Sequence, residues 1–177
     1  MTIGDFHRFA DTRRNDEKWE LIDGEPVMSA SPTYGHQKII RNLIVALCRL
    51  EEQAGASWEV IPGIGVRLSE VSAPEPDVLI RPRTPMRGRI CSDAIVAVEV
   101  LSPTTAKRDL AWKRQSYSSL ASLDHYVVVA QASIDVLAFD RSSGWQERRI
   151  GEPSASLSLP SLNIDLSLAQ IYDGTGL

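Results

Sequence analysis

Two acidic residues lie in short apolar runs where an acid is not expected. Asp77 opens the run PDVLI at 76–80, and Glu99 lies near the end of AIVAVEVL at 94–101. An isolated buried carboxylate is very costly in free energy, so each acid must be paired, solvated at a strand end or bound to a cation. Lys113 follows in a segment with helical spacing. Two such acids and a lysine are the ingredients of a metal-assisted hydrolytic site.

The two acids predict a site for a hard divalent cation if their strands are antiparallel neighbours. Asp77 at the start of one strand then lies beside Glu99 near the end of the other. Mg²⁺ favours one or two carboxylates together with waters and phosphate oxygens, and it would generate hydroxide and screen charge developing on a phosphate. The alternative on spacing alone is simpler: Asp77 caps a loop and Glu99 forms a salt bridge.

The segments around these residues predict a mixed sheet with helices on its faces, in the α/β or α+β class. Apolar residues at helical spacing predict the helices, while alternation of apolar and polar residues and the positions of turn residues predict the strands. We expect a helix at 3–11, a hairpin around Asp23-Gly24 with its return strand at 26–30, a long helix at 31–55, one or two strands within 57–68, strands at 76–80 and 94–101, a helix at 108–120, strands at 125–130, 133–140 and 144–150, and a short strand with a closing helical turn in 155–172.

Length and composition favour one domain over residues 1–177, with an ordinary hydrophobic fraction of 43%. No apolar run approaches the length that spans a bilayer, and the N-terminal segment lacks an apolar signal core. Cys48 and Cys91 lie in unrelated contexts and form no ligand pair. We therefore expect a reduced, cytoplasmic setting without a membrane partner.

The net charge of −4 counts against a protein that coats nucleic acid without specificity, because lysine and arginine supply most of that affinity. Basic residues nevertheless cluster in RPRTPMRGR at 81–89 and again at 107–114. Each cluster alone is most simply a solvated loop or helix face. Because both clusters flank the candidate acids, they also suit a surface that attracts phosphate.

Several motifs occur in a characteristic order: WELIDGE, PTYGH, PDVLI, VEVLSPTT with D-x-x-x-K-x-x-x-Y, HYVVV and LPSLNIDL. This ordered set resembles the Uma2 family of restriction endonuclease-like proteins, within the PD-(D/E)xK nuclease superfamily. The resemblance implies a restriction endonuclease-like core, in which a mixed central sheet is flanked by helices.

The resemblance also implies roles for particular residues. Asp77 and Glu99 would bind the metal, with the backbone carbonyl of Val100 as a possible third ligand. The superfamily places a lysine two positions after the glutamate, where this chain has Leu101. Lys113, on the next helix, would reach back to orient or activate water, or to stabilise charge on the phosphate.

Further residues would support this site under the same resemblance. Glu20 and His36 are candidates for positioning a metal-bound water. Ser102 and Thr105 could hydrogen-bond to the ligands. Tyr117 shares a helix face with Lys113 and is expected to pack beside it rather than to act in catalysis.

The expected function is a Mg²⁺-dependent endonuclease acting on DNA, with Mn²⁺ able to substitute. The alternative is a nuclease fold that binds nucleic acid or a protein partner without cutting, which the acidic pI of 5.4 and Leu101 favour. A homodimer through strands in 126–150 is compatible with either. Phosphate-loop, H-E-x-x-H, C-x-x-C and G-x-S-x-G motifs are absent from the sequence.

Overall fold

The structure is a computed structural model that describes residues 1–14, 17–29, 31–101 and 106–177, with the backbone alone described at 106–109. The helices are α1 Ile3–Ala10, α2 Tyr34–Ala54, α3 Ala106–Ser118 and α4 Leu168–Ile171. The strands are β1 Trp19–Ile22, β2 Glu25–Met28, β3 Trp58–Ile61, β4 Gly65–Val66, β5 Val78–Pro82, β6 Ile90–Cys91, β7 Val96–Leu101, β8 His125–Ala130, β9 Val136–Asp140, β10 Glu147–Ile150, β11 Ser156–Leu159 and β12 Ile164–Ser167.

A six-stranded sheet in the order β10-β9-β8-β7-β5-β3 forms the centre of the fold. Its strands pair antiparallel except for β7 and β8, which run parallel in the register Val96 opposite His125. Parallel neighbours need a long crossover, and α3 lies in the connection between them. The predicted mixed sheet flanked by helices is therefore confirmed.

Alternation along β7 divides the core between the two faces of the sheet. Val96, Val98 and Val100 belong to an apolar cluster that also contains residues of α2, α4 and the β11–β12 hairpin. Ala97 lies on the other face, in a cluster that contains Tyr117 of α3. Because both faces are covered, β7 reads as an almost continuous apolar run, and Glu99 is the exception within it.

Local signals fix the ends of the long helix. The Thr33 side chain accepts a hydrogen bond from the backbone N–H of His36 at the start of α2, as an N-cap residue does. Gly55 adopts φ 53° after the last turn, a left-handed conformation that glycine takes without steric cost. The cap places His36 in the first turn, at the end of the helix near Asp77.

The outer edge of the sheet at β3 is covered by a side chain. The Glu51 carboxylate of α2 accepts a hydrogen bond from the backbone N–H of Val60 at 3.2 Å and pairs with Arg83. Nearby Arg81 is only 3% exposed, with Glu59 and Asp93 bound to its guanidinium. Arg81 is therefore not part of a basic surface, because its charge is neutralised inside the fold.

Several element boundaries differ from those expected. The segment 82–93, for which the sequence predicted no helix or strand, contains β6, which pairs parallel with β4. The tail contains two paired strands, β11 and β12, before α4. Helix α3 begins at 106 instead of 108. Among the helices in the described part of the chain, none has the length and apolar character required to cross a bilayer.

Candidate active site

The pairing of β5 with β7 brings the two candidate acids together. Val78 lies opposite Val98, so the same register extended by one residue sets Asp77 opposite Glu99. Directly opposite residues project from the same face of a sheet, with Cβ atoms about 5 Å apart. The strands are thus antiparallel neighbours as predicted, and both carboxylates lie on the α3 face.

Asp77 is held as a carboxylate at the end of β5. Its Oδ2 accepts a hydrogen bond from the backbone N–H of Val100 at 2.8 Å and lies 3.4 Å from His36 Nε2. Its Oδ1 lies 3.6 Å from Lys18 Nζ. Burial acts to raise the pKa of Asp77, but His36, Lys18 and the Val100 N–H together lower it below its ordinary value. Asp77 is therefore ionised at neutral pH.

Glu99 and Lys113 form a buried ion pair. Glu99 is 4% exposed, and its Oε1 accepts a hydrogen bond from Lys113 Nζ at 2.8 Å. Burial raises the pKa of Glu99 to about 7, against the opposing attraction of Lys113. Burial acts to lower the pKa of Lys113, but Glu99 and Glu20 outweigh it and raise that pKa above its ordinary value. The lysine therefore keeps its proton, and Glu99 is the group that titrates.

Two further side chains complete the surroundings of this pair. Glu20, on β1, is 7% exposed, and its Oε2 lies 3.6 Å from Lys113 Nζ. Tyr117 is fully buried and donates a long hydrogen bond of 3.5 Å to Glu99 Oε1. Burial, followed by the charge of Glu99, raises the pKa of Tyr117 well above its ordinary value, so the hydroxyl stays protonated.

Lys18 and Glu75 also belong to the cluster of charged side chains around Asp77, and the sequence analysis did not predict them. Lys18 Nζ lies 3.5 Å from Glu75 Oε1 as well as 3.6 Å from Asp77 Oδ1. The spacing of Glu75 and Asp77 was the available signal, because residues two apart in an extended segment share a face. With these additions, four carboxylates (Glu20, Glu75, Asp77 and Glu99) surround two lysines, leaving a surplus of negative charge that suits a divalent cation.

The backbone carbonyl of Val100 lies on the strand edge that faces Asp77. In a strand, the N–H and C=O of one residue point to the same side, and the Val100 N–H donates to Asp77. The register sets Pro76 opposite Val100, and proline has no amide hydrogen to donate to that carbonyl. The Val100 carbonyl therefore has no amide donor at the position opposite it on β5's side.

Leu101 lies two residues after Glu99 and on the same face of the sheet, at the position where the sequence resemblance would place a lysine. Leu101 is half-buried and packs with Leu110 against the apolar cluster beneath α3. The lysine of this site instead comes from α3 itself, where Lys113 meets Glu99. Of the remaining sequence candidates, Ser102 and Thr105 lie outside the described residues.

The donor set has the character that Mg²⁺ requires. Within the described residues, no group of three or more His, Cys, Asp or Glu side chains is arranged to hold a metal ion. Mg²⁺ does not need such a cage, because it binds through one or two carboxylates and takes its other ligands from water and substrate. Asp77, Glu99 and the Val100 carbonyl offer oxygen atoms alone, so they fit Mg²⁺ better than a nitrogen- and sulfur-preferring metal.

A family model named Uma2, with the description "Putative restriction endonuclease", matches residues 3–170. The chain belongs to the Uma2 family. The match spans all the side chains of the site, from Lys18, immediately before β1, to Lys113 on α3. No match was found among curated proteins.

Five chains of solved structures are similar to this Uma2 protein. One is a crystal structure described as "a putative nuclease belonging to DUF820 from Anabaena variabilis". It has a TM-score of 0.80 at 13% sequence identity and covers 99% of each chain. At that identity the likeness establishes the fold alone, and it extends from end to end of the chain.

Proposed function

We propose that this Uma2-family protein is a Mg²⁺-dependent endonuclease that hydrolyses DNA phosphodiester bonds at a PD-(D/E)xK-type site. Family membership supports a nuclease. The observation that carries the more specific proposal is the contact of Lys113 Nζ with Glu99 at 2.8 Å, beside Asp77 on the neighbouring strand. A lysine and two acids thus meet although position 101 is a leucine.

Asp77, Glu99 and the carbonyl of Val100 would hold the Mg²⁺. When bound, the cation supplies Lewis-acid polarisation of the phosphate and lowers the pKa of a water molecule. Mn²⁺ should substitute, because it accepts the same oxygen ligands.

The chain's own residues would orient the substrate and the attacking water. Lys113 keeps its positive charge and has three donor hydrogens, so it can donate to a phosphoryl oxygen or to the water while it stays close to Glu99. Glu20, whose Oε2 lies 3.6 Å from Lys113 Nζ, also attracts the ammonium group and helps to hold it in place. His36 orients Asp77 through its Oδ2, and Lys18 adds positive charge beside its Oδ1.

Cleavage of supercoiled plasmid by the Asp77→Asn variant tests this assignment. Asn keeps the shape of the side chain but removes the charge that holds a cation, so we expect cleavage with Mg²⁺ or Mn²⁺ to fall by at least about 100-fold. Asp165→Asn is the matched control, because Asp165 is exposed on β12. Mn²⁺ binding by calorimetry should be lost in Asp77→Asn and kept in Asp165→Asn. Equal cleavage by both variants contradicts the proposal.

A second candidate is a nuclease fold that binds nucleic acid or a protein partner without cutting. The observation in its favour is that Lys113 already donates a hydrogen bond to the Glu99 carboxylate. A cation would therefore have to compete with both this lysine and a proton for the same oxygen atoms. Calorimetry separates the two candidates. The absence of Mn²⁺ binding at pH 8, where Glu99 is ionised, together with binding of a DNA duplex, would favour this second function.

A further inference from the structure

A cavity of about 460 Å³ lies beside the acid cluster, between α1, the start of β1 and β6. This volume falls in the range of pockets that bind small molecules. Aromatic, cationic and carboxylate side chains line it together, among them Phe6, Glu17, Lys18, Trp19, Glu75 and Arg89.

The cavity shares a wall with the candidate active site. Lys18 and Glu75 line the cavity, and Lys18 Nζ also lies 3.6 Å from Asp77 Oδ1. One ammonium group thus separates the cavity from the proposed metal ligand. A nucleic acid strand whose phosphate lies at Asp77 has its adjacent nucleotide within reach of the cavity, because successive phosphates of one strand are spaced by only about 3.4 Å along the axis of a duplex.

Trp19 gives the cavity a preorganised aromatic wall. Its Nε1–H donates to Glu17 at 2.9 Å, and Phe9 packs against it edge-on with ring centroids 5.0 Å apart. Aromatic side chains fixed in this way stack on nucleic acid bases without regard to their identity. The carboxylates of Glu17 and Glu75 can accept hydrogen bonds from the amino groups of bases, as acidic side chains do with cytosine.

We propose that this cavity binds one unpaired nucleotide of the substrate strand, next to the phosphate that is cleaved. The inference rests on the proposed function and narrows its substrate class. A base within a duplex must first be unpaired and unstacked before it can enter a cavity, which costs free energy, so the favoured substrate is single-stranded, flapped or locally unpaired DNA. Trp19 stacks on the base, while Lys18 and Arg89 offer positive charge to the flanking phosphates.

Filling the cavity tests the inference. Ala10 is a half-buried residue at the end of α1 that lines the cavity, and Ala10→Phe projects a ring into it. The matched control is Ala169→Phe, on the exposed face of α4. Arg89→Gln is a second variant that should not disturb folding, because the Arg89 side chain is 69% exposed. Circular dichroism verifies that each variant is folded.

The first measurement is binding of a fluorescein-labelled oligodeoxyadenylate hexamer in EDTA, followed by anisotropy. We expect Ala10→Phe to weaken binding at least about tenfold and Arg89→Gln to weaken it and reduce its salt dependence, while Ala169→Phe leaves it unchanged. Unchanged hexamer binding in both Ala10→Phe and Arg89→Gln overturns the inference.

Two further measurements are needed. One tests whether the cavity binds a free nucleotide or a nucleotide within a strand, and the other separates failure of this inference from failure of the proposed function. If deoxyadenosine monophosphate binds as tightly as the hexamer, the cavity takes free nucleotides and the inference about the strand is wrong. Glu99→Gln should abolish cleavage yet keep hexamer binding. If cleavage depends on Glu99 but hexamer binding is unchanged in both Ala10→Phe and Arg89→Gln, the protein is a nuclease and the inference about the cavity is wrong. If Ala10→Phe weakens hexamer binding but no cleavage is detected, the cavity binds the nucleotide and the proposed nuclease function is wrong.

Discussion

Replacing Lys113 with methionine should reveal the charge of Glu99 as a pH-dependent loss of stability. Methionine fills a similar volume but removes the cation that contacts Glu99 at 2.8 Å. The buried carboxyl of Glu99 must then be protonated in the folded state, because an uncompensated buried charge is more costly still. The free energy of that protonation grows with the distance of the pH from the ordinary pKa of 4.5.

The expected magnitude follows from about 1.4 kcal/mol per pH unit. Keeping Glu99 protonated costs about 4 kcal/mol at about pH 7.5 and about 1 kcal/mol at about pH 5.5. The sign follows from the raised pKa of Glu99. The folded state binds the proton more tightly than the unfolded chain, so this contribution is fully present below 4.5 and lost as the pH rises through about 7 in the wild type. In Lys113→Met the loss extends to higher pH, because the attraction of Lys113 is gone.

The assay compares Lys113→Met with the double variant Lys113→Met/Glu99→Gln by urea unfolding at three pH values. The double variant has no carboxyl to protonate, so the single variant should be less stable by about 4 kcal/mol at about pH 7.5, with the gap narrowing to about 1 kcal/mol at about pH 5.5. Lys38→Met, on α2, controls for loss of a lysine that forms no ion pair described in the structure. Equal stability of the single and double variants at every pH would refute the burial of an ionisable Glu99 beside Lys113.

Two other predictions concern stability away from this pair. The Nδ1–H of His125 donates to Asp140 Oδ1 at 2.7 Å, and its Nε2 lies 2.8 Å from the Ser161 hydroxyl. His125→Ala should cost about 3 kcal/mol in urea unfolding because the buried Asp140 loses a partner, whereas Ser161→Ala should cost about 1 kcal/mol or less, and equal costs would contradict this reasoning. Asp77→Asn should destabilise the protein at neutral pH but not in acid: the pKa of Asp77 is lowered below 3.8, so its stabilisation is present above that value and is lost as the pH falls through the lower folded pKa. A wild-type advantage that persists at about pH 2 would show that the Asp77 charge is not the cause.

The sheet and the pairing of the two acids could be predicted from local pattern. The apolar run that contains Glu99 is typical of a strand covered on both faces, and β7 is such a strand. The acid at the head of one run and near the end of the next required antiparallel neighbours, and the register of Val78 with Val98 supplies them. Period and polarity carry this information because they determine which face each residue occupies.

The burial of individual charged side chains could not be predicted from local sequence pattern. Lys113 and Arg81 both looked like members of basic surface clusters, yet they are 8% and 3% exposed. Each is buried because acids from other elements surround it, and those acids are distant in sequence. The short ladders β4–β6 and β11–β12 were also missed or incomplete in the prediction, since two to four residues contain too little alternation to indicate a strand.

The hydrogen bond from the backbone N–H of Val60 to the Glu51 carboxylate protects one edge of the central sheet against self-association. A free strand edge is a template on which another chain can add a strand, and a charged acceptor on that edge repels the carbonyl groups of an incoming backbone. The β3 side of the sheet is therefore protected against growth. Two copies that joined their sheets would have to meet at the opposite edge, along β10, and α2 would then lie on the outside of the pair.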